Sequence, residues 1–502
     1  MPVQPPHRIK GIGPQVGALQ RSSSTPLFEQ LASRIEALIQ AGTLGVGEQV
    51  PSVRRAQQQF GVSAATVIEA YRLLEARGVI RARPQSGYFV RQSPVSERRV
   101  PAMTAPALRS VSLEPPEPML VRLKAAVPDA SLLPTAALGR LLGRVYRDQP
   151  EALSTYGPTT GCIELRREIA RRMIDAGCVV SPDDIVVTNG TTEAVYLALQ
   201  ILTGRGDTVA VESPTYHGLL DTLRARGLKA LPLASCTVNG VCVDAIEEAI
   251  RTRRFAAMVL IPNFSNPLGG VLPDDRKRRL VELAAAHGIP VIEDDVYGEL
   301  GFEGPRPRAL RSYDDGGWVM YCSSFSKVLS PGIRIGWCVP GRHMDAYTRI
   351  KHDVNISAPM GPQLALAEFL SGGGYDKHLR RLRRIYQTQV ARFADRIAAT
   401  FPEGTSTSQP RGGHVIWVEM PAGVDSVALL EECQRRGITF APGPLFAPDD
   451  AYRNFLRLNC AVAWSEELSD AIATIGRLAR EQLNAAQAAP DGRARPKRSM
   501  AL

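Results

Sequence analysis

Apolar positions near the front of the chain recur at helical spacing. Leu27, Leu31, Ile35 and Leu38 fall on one face of a helix that begins at Pro26, and Gly42, Gly45 and Gly47 break the chain behind it. Pro51-Ser52 opens a second, short helix predicted over Val53–Phe60, and Gly61 stops it. Ser63 is placed as the N-cap of a third helix. There Val67, Tyr71 and Leu74 face the core at i, i+4 and i+7, which leaves Ala64, Ala65, Thr66 and Glu69 outside near the helix N-terminus. Gly78 ends that helix. Val79–Arg83 and Tyr88–Val90 then read as strands joined through Pro84-Gln85-Ser86-Gly87. Three helices and a hairpin describe a winged helix-turn-helix whose third helix enters a major groove, with Arg54, Arg55, Arg72, Arg81 and Arg83 on phosphates. The same pattern also describes a small helical dimerisation module with a solvated basic face, and pattern alone does not separate the two.

Residues 1–23 are rich in Pro, Gly and Ser and read as a flexible arm before a domain at 24–92. Prolines at 94, 101, 106, 115, 116 and 118 make 93–118 a semi-rigid linker. From Met119 apolar strands alternate with helices through about residue 487, as in an α/β domain with a mostly parallel sheet. In such sheets ligands gather where strands end. Residues 488–502, rich in Ala, Pro and Arg, read as a disordered basic tail whose Arg493, Arg495, Lys497 and Arg498 add weak nonspecific DNA affinity.

Five strand ends carry chemistry. Ile185–Thr188 runs into Asn189-Gly190-Thr191-Thr192 at a helix start, which is either a phosphate cradle or a plain N-cap. Thr208–Val211 runs into Glu212-Ser213-Pro214-Thr215-Tyr216, where the aromatic either stacks on a flat ring or covers core. Met258–Ile261 leads to Asn266-Pro267, an amide donor or an Asx turn. Pro290–Ile292 leads to Glu293-Asp294-Asp295 and Tyr297, three carboxylates that repel one another unless a cation or proton sits among them; a protonated pyridine ranks ahead of a metal, since no histidine lies near. Trp318–Cys322 runs into Ser323-Ser324-Phe325-Ser326-Lys327, with Arg334 past a Pro331-Gly332 turn. Lys327 is either a solvated loop lysine or an amine able to form a Schiff base with a carbonyl cofactor, and Arg334 either a surface charge or a phosphate partner. Each signal is weak alone, and the set of five together is strong.

Composition narrows little. The 502 residues are 44% apolar and 22% charged, with net charge +10, which permits a nucleic-acid partner without demonstrating one. The eight cysteines contain no C-x-x-C and no histidine at zinc spacing, so free, mostly buried thiols in a reducing compartment and no metal site are expected. No apolar run approaches the ~20 residues that cross a bilayer, and MPVQPPHRIKGIG lacks an apolar export core. A soluble cytoplasmic protein without a membrane partner is the expectation.

Two resemblances go further. G-x-x-x-x-G-E-x-x-P-S-V-R, then G-V-S-x-x-T-V-x-x-A-Y-x-x-L-E-x-x-G, then S-G-Y-F-V, over Pro26 to Arg91, resembles the DNA-binding domain of the GntR family of bacterial repressors. It implies DNA contacts from Ser52, Arg54, Arg55, Ser63, Ala64, Ala65, Thr66, Arg72, Arg83 and Gly87. Ala64 stands where the family usually has arginine, which puts the operator sequence, and not the fold, in question. The order of strand ends over 119–487 resembles fold-type-I, class I/II aminotransferases. That likeness implies pyridoxal 5'-phosphate (PLP) on Lys327, with Asp294 at the pyridine nitrogen. It puts Asn266 and Tyr297 on the phenolic oxygen, Tyr216 over the ring, and Thr191, Thr192, Ser324, Ser326 and Arg334 on the phosphate. Tyr156, in Y-G-P-T-T-G-C-I-E-L-R, would reach the partner subunit's phosphate, and Arg457, in F-L-R-L-N, would clamp a substrate α-carboxylate. Gly412–Val418 and Gly437–Phe446 resemble elements of the small C-terminal α+β subdomain, and His378 to Arg396 reads as a basic amphipathic helix.

Together the two halves resemble the MocR branch of the GntR family. The resemblance implies a head-to-tail homodimeric transcriptional regulator that binds promoter DNA and senses PLP, or an amine or amino acid, by aldimine exchange. A catalytically active aminotransferase carrying a DNA-binding domain is the alternative, since every position needed for half-reactions is filled.

Overall fold

The computed structural model describes residue 19 and residues 25–40, 44–83, 86–91 and 121–488. The expected linker (93–118), most of the expected arm (1–23) and the tail past 488 lie outside the described residues. The chain forms two compact units, Met1–Ser112 and Leu113–Leu502.

The first unit has helices α1 (Leu27–Gln40), α2 (Val53–Phe60) and α3 (Ala64–Ala76), then an antiparallel hairpin of β1 (Ile80–Arg83) and β2 (Gly87–Val90). Capping sets the helix starts: Ser52 Oγ accepts the N–H of Arg55 at 3.3 Å, and Ser63 Oγ that of Thr66 at 3.2 Å. The buried stripe of α1 is Leu31, Ala32, Ile35 and Ile39. It is turned slightly from the expected face, so Leu27 and Leu38 are only half-buried. Val67, Ala70, Tyr71 and Leu74 of α3 close on it. The Tyr71 hydroxyl donates to Pro51 O at 2.5 Å, fixing the entry to α2 against α3.

The second unit is built on an eight-stranded sheet. Its strands are β4 (Val186–Thr188), β5 (Thr208–Ser213), β6 (Lys229–Cys236), β7 (Gly240–Val241), β8 (Ala257–Leu260), β9 (Val291–Asp294), β10 (Val319–Ser324) and β11 (Gly336–Val339), in the spatial order β4-β11-β10-β9-β8-β5-β6-β7. β10, β9, β8, β5 and β6 are mutually parallel. β11 opposes both β10 and β4, so β4 shares the common direction. Consequently the carboxyl ends of β4, β5, β8, β9 and β10 lie along one edge, which gathers the five chemistry-bearing strand ends. Val319, Met320, Tyr321 and Cys322 of β10 are 0% exposed, as a strand covered on both faces requires.

A smaller, four-stranded sheet runs β12 (Ser406–Thr407), β13 (Val415–Glu419), β16 (Phe455–Asn459), β15 (Ala441–Pro442), and β14 (Ile438–Thr439) pairs in parallel with β3 (Val121–Arg122). The expected helix at 378–396 runs longer, from Gly374 to Thr400, and buries Leu379, Leu382, Tyr386 and Phe393 together with Tyr375, Val390 and Ile397. With Glu466–Ala488 it covers the small sheet.

Candidate functional site

At the sheet edge the three consecutive carboxylates are sorted by their partners. Glu293, at the end of β9, accepts the N–H groups of Leu310 (2.7 Å) and Arg311 (3.0 Å). Asp295 pairs with Arg306 at 2.7 Å and accepts from Tyr321 (2.9 Å) and from the Asn263 amide (3.0 Å). Asp294 alone faces the cleft, and its Oδ1 is buried with no partner. Burial, and then the neighbouring Asp295, push its carboxyl up to about 7, against the pull of the Val296 N–H and of Lys327. Partners relieve Asp295, whereas burial and then Asp295 push Glu293 up to about 8 against the pull of its two N–H donors, so a proton relieves it; only Asp294 is left for a ligand.

Lys327 follows β10 and its ammonium donates to Ala126 O at 2.7 Å. Burial, with Arg457 and Arg334 nearby, lowers it to about 8, partly offset by Asp294. That brings the neutral amine within reach just above physiological pH, where an ordinary lysine is almost wholly charged, as a nucleophilic lysine requires. Arg334 adopts φ +57 and donates to Asn189 O at 2.6 Å. Its guanidinium lies across Gly190, where a Cβ would stand 2.5 Å from Nη2. Gly336 of β11 is pressed on Gly190 in the same way, a Cβ there meeting the Gly190 carbonyl carbon at 2.6 Å. These two glycines let β11 bring Arg334 against the start of helix Thr191–Leu202. Thr191 Oγ1 is buried without a partner, Thr192 is exposed, and Ser324 and Ser326 are buried along the same sheet edge, the Ser326 N–H donating to Ser324 Oγ at 3.4 Å.

The remaining predicted residues converge on the same cleft. Asn266 Oδ1 has no partner, and the Asn266 side chain bonds the Tyr297 hydroxyl. The Tyr216 ring folds over Gly218 and lies near enough to Asp294 and Arg457 to feel both charges. Arg457, on β16, is 0% exposed. Its Nη2 donates to Lys124 O, whereas Nε and Nη1 are unpartnered, and no carboxylate is among the groups that perturb it. Burial lowers it to about 10. Tyr156 stands apart at 79% exposed, on the surface of the chain.

Four contributors carry no local signal in the sequence. His217 and His414 are buried and each is held down to about 3, chiefly by desolvation and then by neighbouring cations, so both are neutral. His414 Nδ1 lies 3.1 Å from Asn459 Oδ1 while Nε2 is free. Ala126 and Lys124 come from the segment after β3. The residues that follow the strands of the large sheet include Asp294 and Lys327 but not Lys124, Ala126 or His414, because β3 and β13 belong to the small sheets.

Unpartnered polar atoms of Asp294, Asn266, Thr191 and Arg457 therefore surround one lysine. Leaving such groups buried costs roughly 1–3 kcal/mol each, a penalty relieved by a ligand offering a ring N–H, a phenolic hydroxyl, a phosphate and a carboxylate. The residues fit PLP with an amino acid. No cluster of three or more metal-ligating side chains occurs among the described residues.

In the first unit Ser52, Arg54, Arg55, Ser63, Ala65, Arg72, Arg83 and Gly87 are exposed or nearly so, and Ala64 and Thr66 are at the same surface. Arg72 stays near Glu69 at 3.6 Å, and Arg83 lies over Phe89 at 4.3 Å. Arg54 and Arg55 leave α2 on its exposed side, so all ten remain available to a duplex.

Comparison with known proteins divides the chain at the same place. Residues 131–475 match the aminotransferase class I and II family, and residues 27–90 match the bacterial regulatory proteins of the gntR family. The uncharacterized HTH-type transcriptional regulator YjiR of Escherichia coli (strain K12) is 38% identical over 460 residues, covering 89% of this chain and 98% of that protein. The probable rhizopine catabolism regulatory protein MocR of Rhizobium meliloti is 28% identical over 438 residues, 84% of this chain and 88% of the other. Among solved structures, LysN, the alpha-aminoadipate aminotransferase of Thermus thermophilus complexed with N-(5'-phosphopyridoxyl)-L-leucine, aligns with a TM-score of 0.68 at 28% identity, over 72% of this chain and 92% of that one.

Proposed function

The chain belongs to the MocR-type branch of the GntR regulators, DNA-binding transcriptional regulators with an aminotransferase-like domain, and we propose that its large domain holds PLP at Lys327 and reports an amine or amino acid to promoter DNA. The observation that carries this reading is the ring of unpartnered buried groups around Lys327, above all Asp294 and Arg457. When bound, PLP supplies an aldehyde with which an amine condenses and a ring that withdraws electrons. Asp294 would hold the pyridine N–H, Asn266 and Tyr297 the phenolic oxygen, and Tyr216 one ring face. Thr191, Thr192, Ser324, Ser326 and Arg334 would bind the phosphate, with backbone N–H groups of the helix start. Arg457 would take the α-carboxylate of the incoming amino acid. Lys327, lowered to about 8, is suited both to hold the cofactor and to move a proton.

Exposed Tyr156 supports a head-to-tail homodimer in which it contacts the other copy's phosphate, and the absence, among the described residues, of a helix long and apolar enough to cross a membrane is compatible with cytoplasmic action on DNA. In the first unit α3 would enter the major groove, Ser52, Ser63, Ala64, Ala65, Thr66 and Gly87 would lie at the duplex, and Arg54, Arg55, Arg72 and Arg83 would hold phosphates.

Absorbance of the purified full chain tests the cofactor: a visible band that disappears in Lys327→Ala is expected, and a colourless wild type after incubation with PLP would sink the reading. Gel shift on the chain's own promoter region tests the regulator: Arg54→Ala should weaken binding while the band remains. Sustained turnover of an amino acid with a keto acid would favour a working aminotransferase instead.

A further inference from the structure

Buried cations in the large domain normally carry a carboxylate partner. Lys351 has Glu193 at 3.2 Å, Arg172 has Glu299 at 2.9 Å, Arg306 has Asp295 at 2.7 Å, and Lys277 has Asp274 at 3.6 Å. Besides Lys327, whose ammonium has only Ala126 O, two cations at the cleft break the pattern. Arg457 is fully buried and has only the carbonyl oxygen of Lys124. Lys124 is half-buried, and neither a hydrogen bond nor an ion pair reaches its ammonium from the described residues.

The two are neighbours. Arg457 bonds the backbone of Lys124, and the charges of Arg457, Lys124 and Lys327 all fall on His217, whose Nδ1 is buried and unpartnered. Burial alone moves the Lys124 ammonium below its ordinary range. A buried or half-buried cation without an anion is unfavourable, and a ligand that supplies the anion removes the penalty.

A charge count identifies that ligand. The cleft offers Lys327, Arg334, Arg457 and Lys124 against one unpaired carboxylate, Asp294. A cofactor phosphate takes Arg334 and the helix start, and a pyridine N–H takes Asp294. An α-carboxylate takes Arg457. Lys124 is left over, beside a neutral His217.

Resting on the reading of the large domain as an amino-acid sensor, we propose that Lys124 and His217 form a second anion subsite, so that the recognised amino acid carries an acid group at the end of its side chain as well as its α-carboxylate. Lys124 provides the charge. Neutral His217 provides an uncharged polar contact, and the aromatic wall of Phe446, 5.8 Å from the His217 ring, closes the apolar side.

The test uses the PLP-loaded full chain and follows its visible band during titration with L-aspartate, L-asparagine, L-glutamate and L-glutamine, pairs that differ in charge and hardly in shape. A charge-assisted contact predicts that at least one acid half-saturates at roughly tenfold or more lower concentration than its amide. In Lys124→Met that ratio should collapse toward one, and in Lys124→Arg it should persist. Amides that act as well as the acids would overturn the subsite, and so would an unchanged ratio in Lys124→Met. The wild-type ratio decides the matter even if that variant loses its cofactor. A band that no amino acid alters overturns the sensor reading itself, which distinguishes that failure from failure of the subsite alone.

Discussion

Replacing Arg457 by methionine should leave the cofactor-free protein at least as stable as the wild type. A guanidinium ordinarily holds its proton into strongly alkaline solution, and here burial lowers it to about 10. The folded pKa is depressed, so the unfolded chain binds the proton more tightly. The penalty builds as pH falls from the ordinary arginine range to about 10 and is complete at pH 7. The difference corresponds to about 3 kcal/mol against the charged folded form. Methionine fills most of the volume beside Phe446 and loses the bond to Lys124 O, about 2 kcal/mol for a charged donor. The net is a gain of about 1 kcal/mol. With an unfolding entropy of ~2 cal/mol/K per residue, a domain of this size moves by roughly 1 °C per kcal/mol. Arg306→Met is the contrast, because it strands Asp295 without its ion pair. It should cost about 3–5 kcal/mol and lower Tm by several degrees. Thermal melts of the three proteins without cofactor, at pH 7, check this. A fall of several degrees in Arg457→Met, matching Arg306→Met, would refute the claim that Arg457 is an uncompensated charge waiting for a ligand. Added amino acid should raise the Tm of the PLP-loaded wild type and leave that of Arg457→Met unmoved.

Capture of PLP by the cofactor-free protein should accelerate from pH 7 through about 8 and then level off, following loss of the Lys327 proton; stopped-flow absorbance gives the profile, and a rate flat across that range contradicts the assignment. In Arg457→Gln the midpoint should move up, because one of the cations that lowers Lys327 is gone. Gly190→Ala should weaken PLP binding at least about tenfold by equilibrium dialysis, since φ +87 with ψ 171 is strained by about 1–3 kcal/mol for alanine and its Cβ strikes Arg334; unchanged affinity would separate this turn from the phosphate. Tyr71→Phe removes the bond to Pro51 O and should cost the first unit about 1 kcal/mol, read as faster amide exchange in α2, and undiminished protection would show that the bond contributes nothing.

Much of the architecture was legible where one residue decides a local outcome. Ser52, Gly61 and Ser63 delimit α2 and start α3 in sequence and structure alike, because caps act within a few residues. The five strand ends were legible for a similar reason: a buried strand that runs into Gly, Asn, Asp or Lys has few bland explanations once several occur in order. What was hidden depends on distant chain. β11, which turns back between β10 and β4, is an apolar run like its parallel neighbours, and nothing in Gly336–Val339 announces its direction. The different fates of Glu293, Asp294 and Asp295 are set by Arg306, Tyr321 and the N–H groups of Leu310 and Arg311, not by the triplet itself. Lys124, His217 and His414 look unremarkable in sequence, and only burial beside other cations gives them a role.

The β10–β11 hairpin has a consequence for how the large domain tolerates change. Its ladder closes at the Ser324–Gly336 pair, and the excursion beyond that pair carries both Lys327 and Arg334. In the proposed complex these hold the aldehyde carbon and the phosphate, which are carried on neighbouring atoms of one rigid ring, so the loop works as a clip whose opening is fixed by the spacing of those two groups. A residue inserted between 327 and 334 would displace one jaw relative to the other while the sheet stayed intact. Chains of this kind should therefore vary freely in the loops on either side of the hairpin and hardly at all in the length of this one, and lengthening it offers a way to abolish cofactor binding in a domain that still folds.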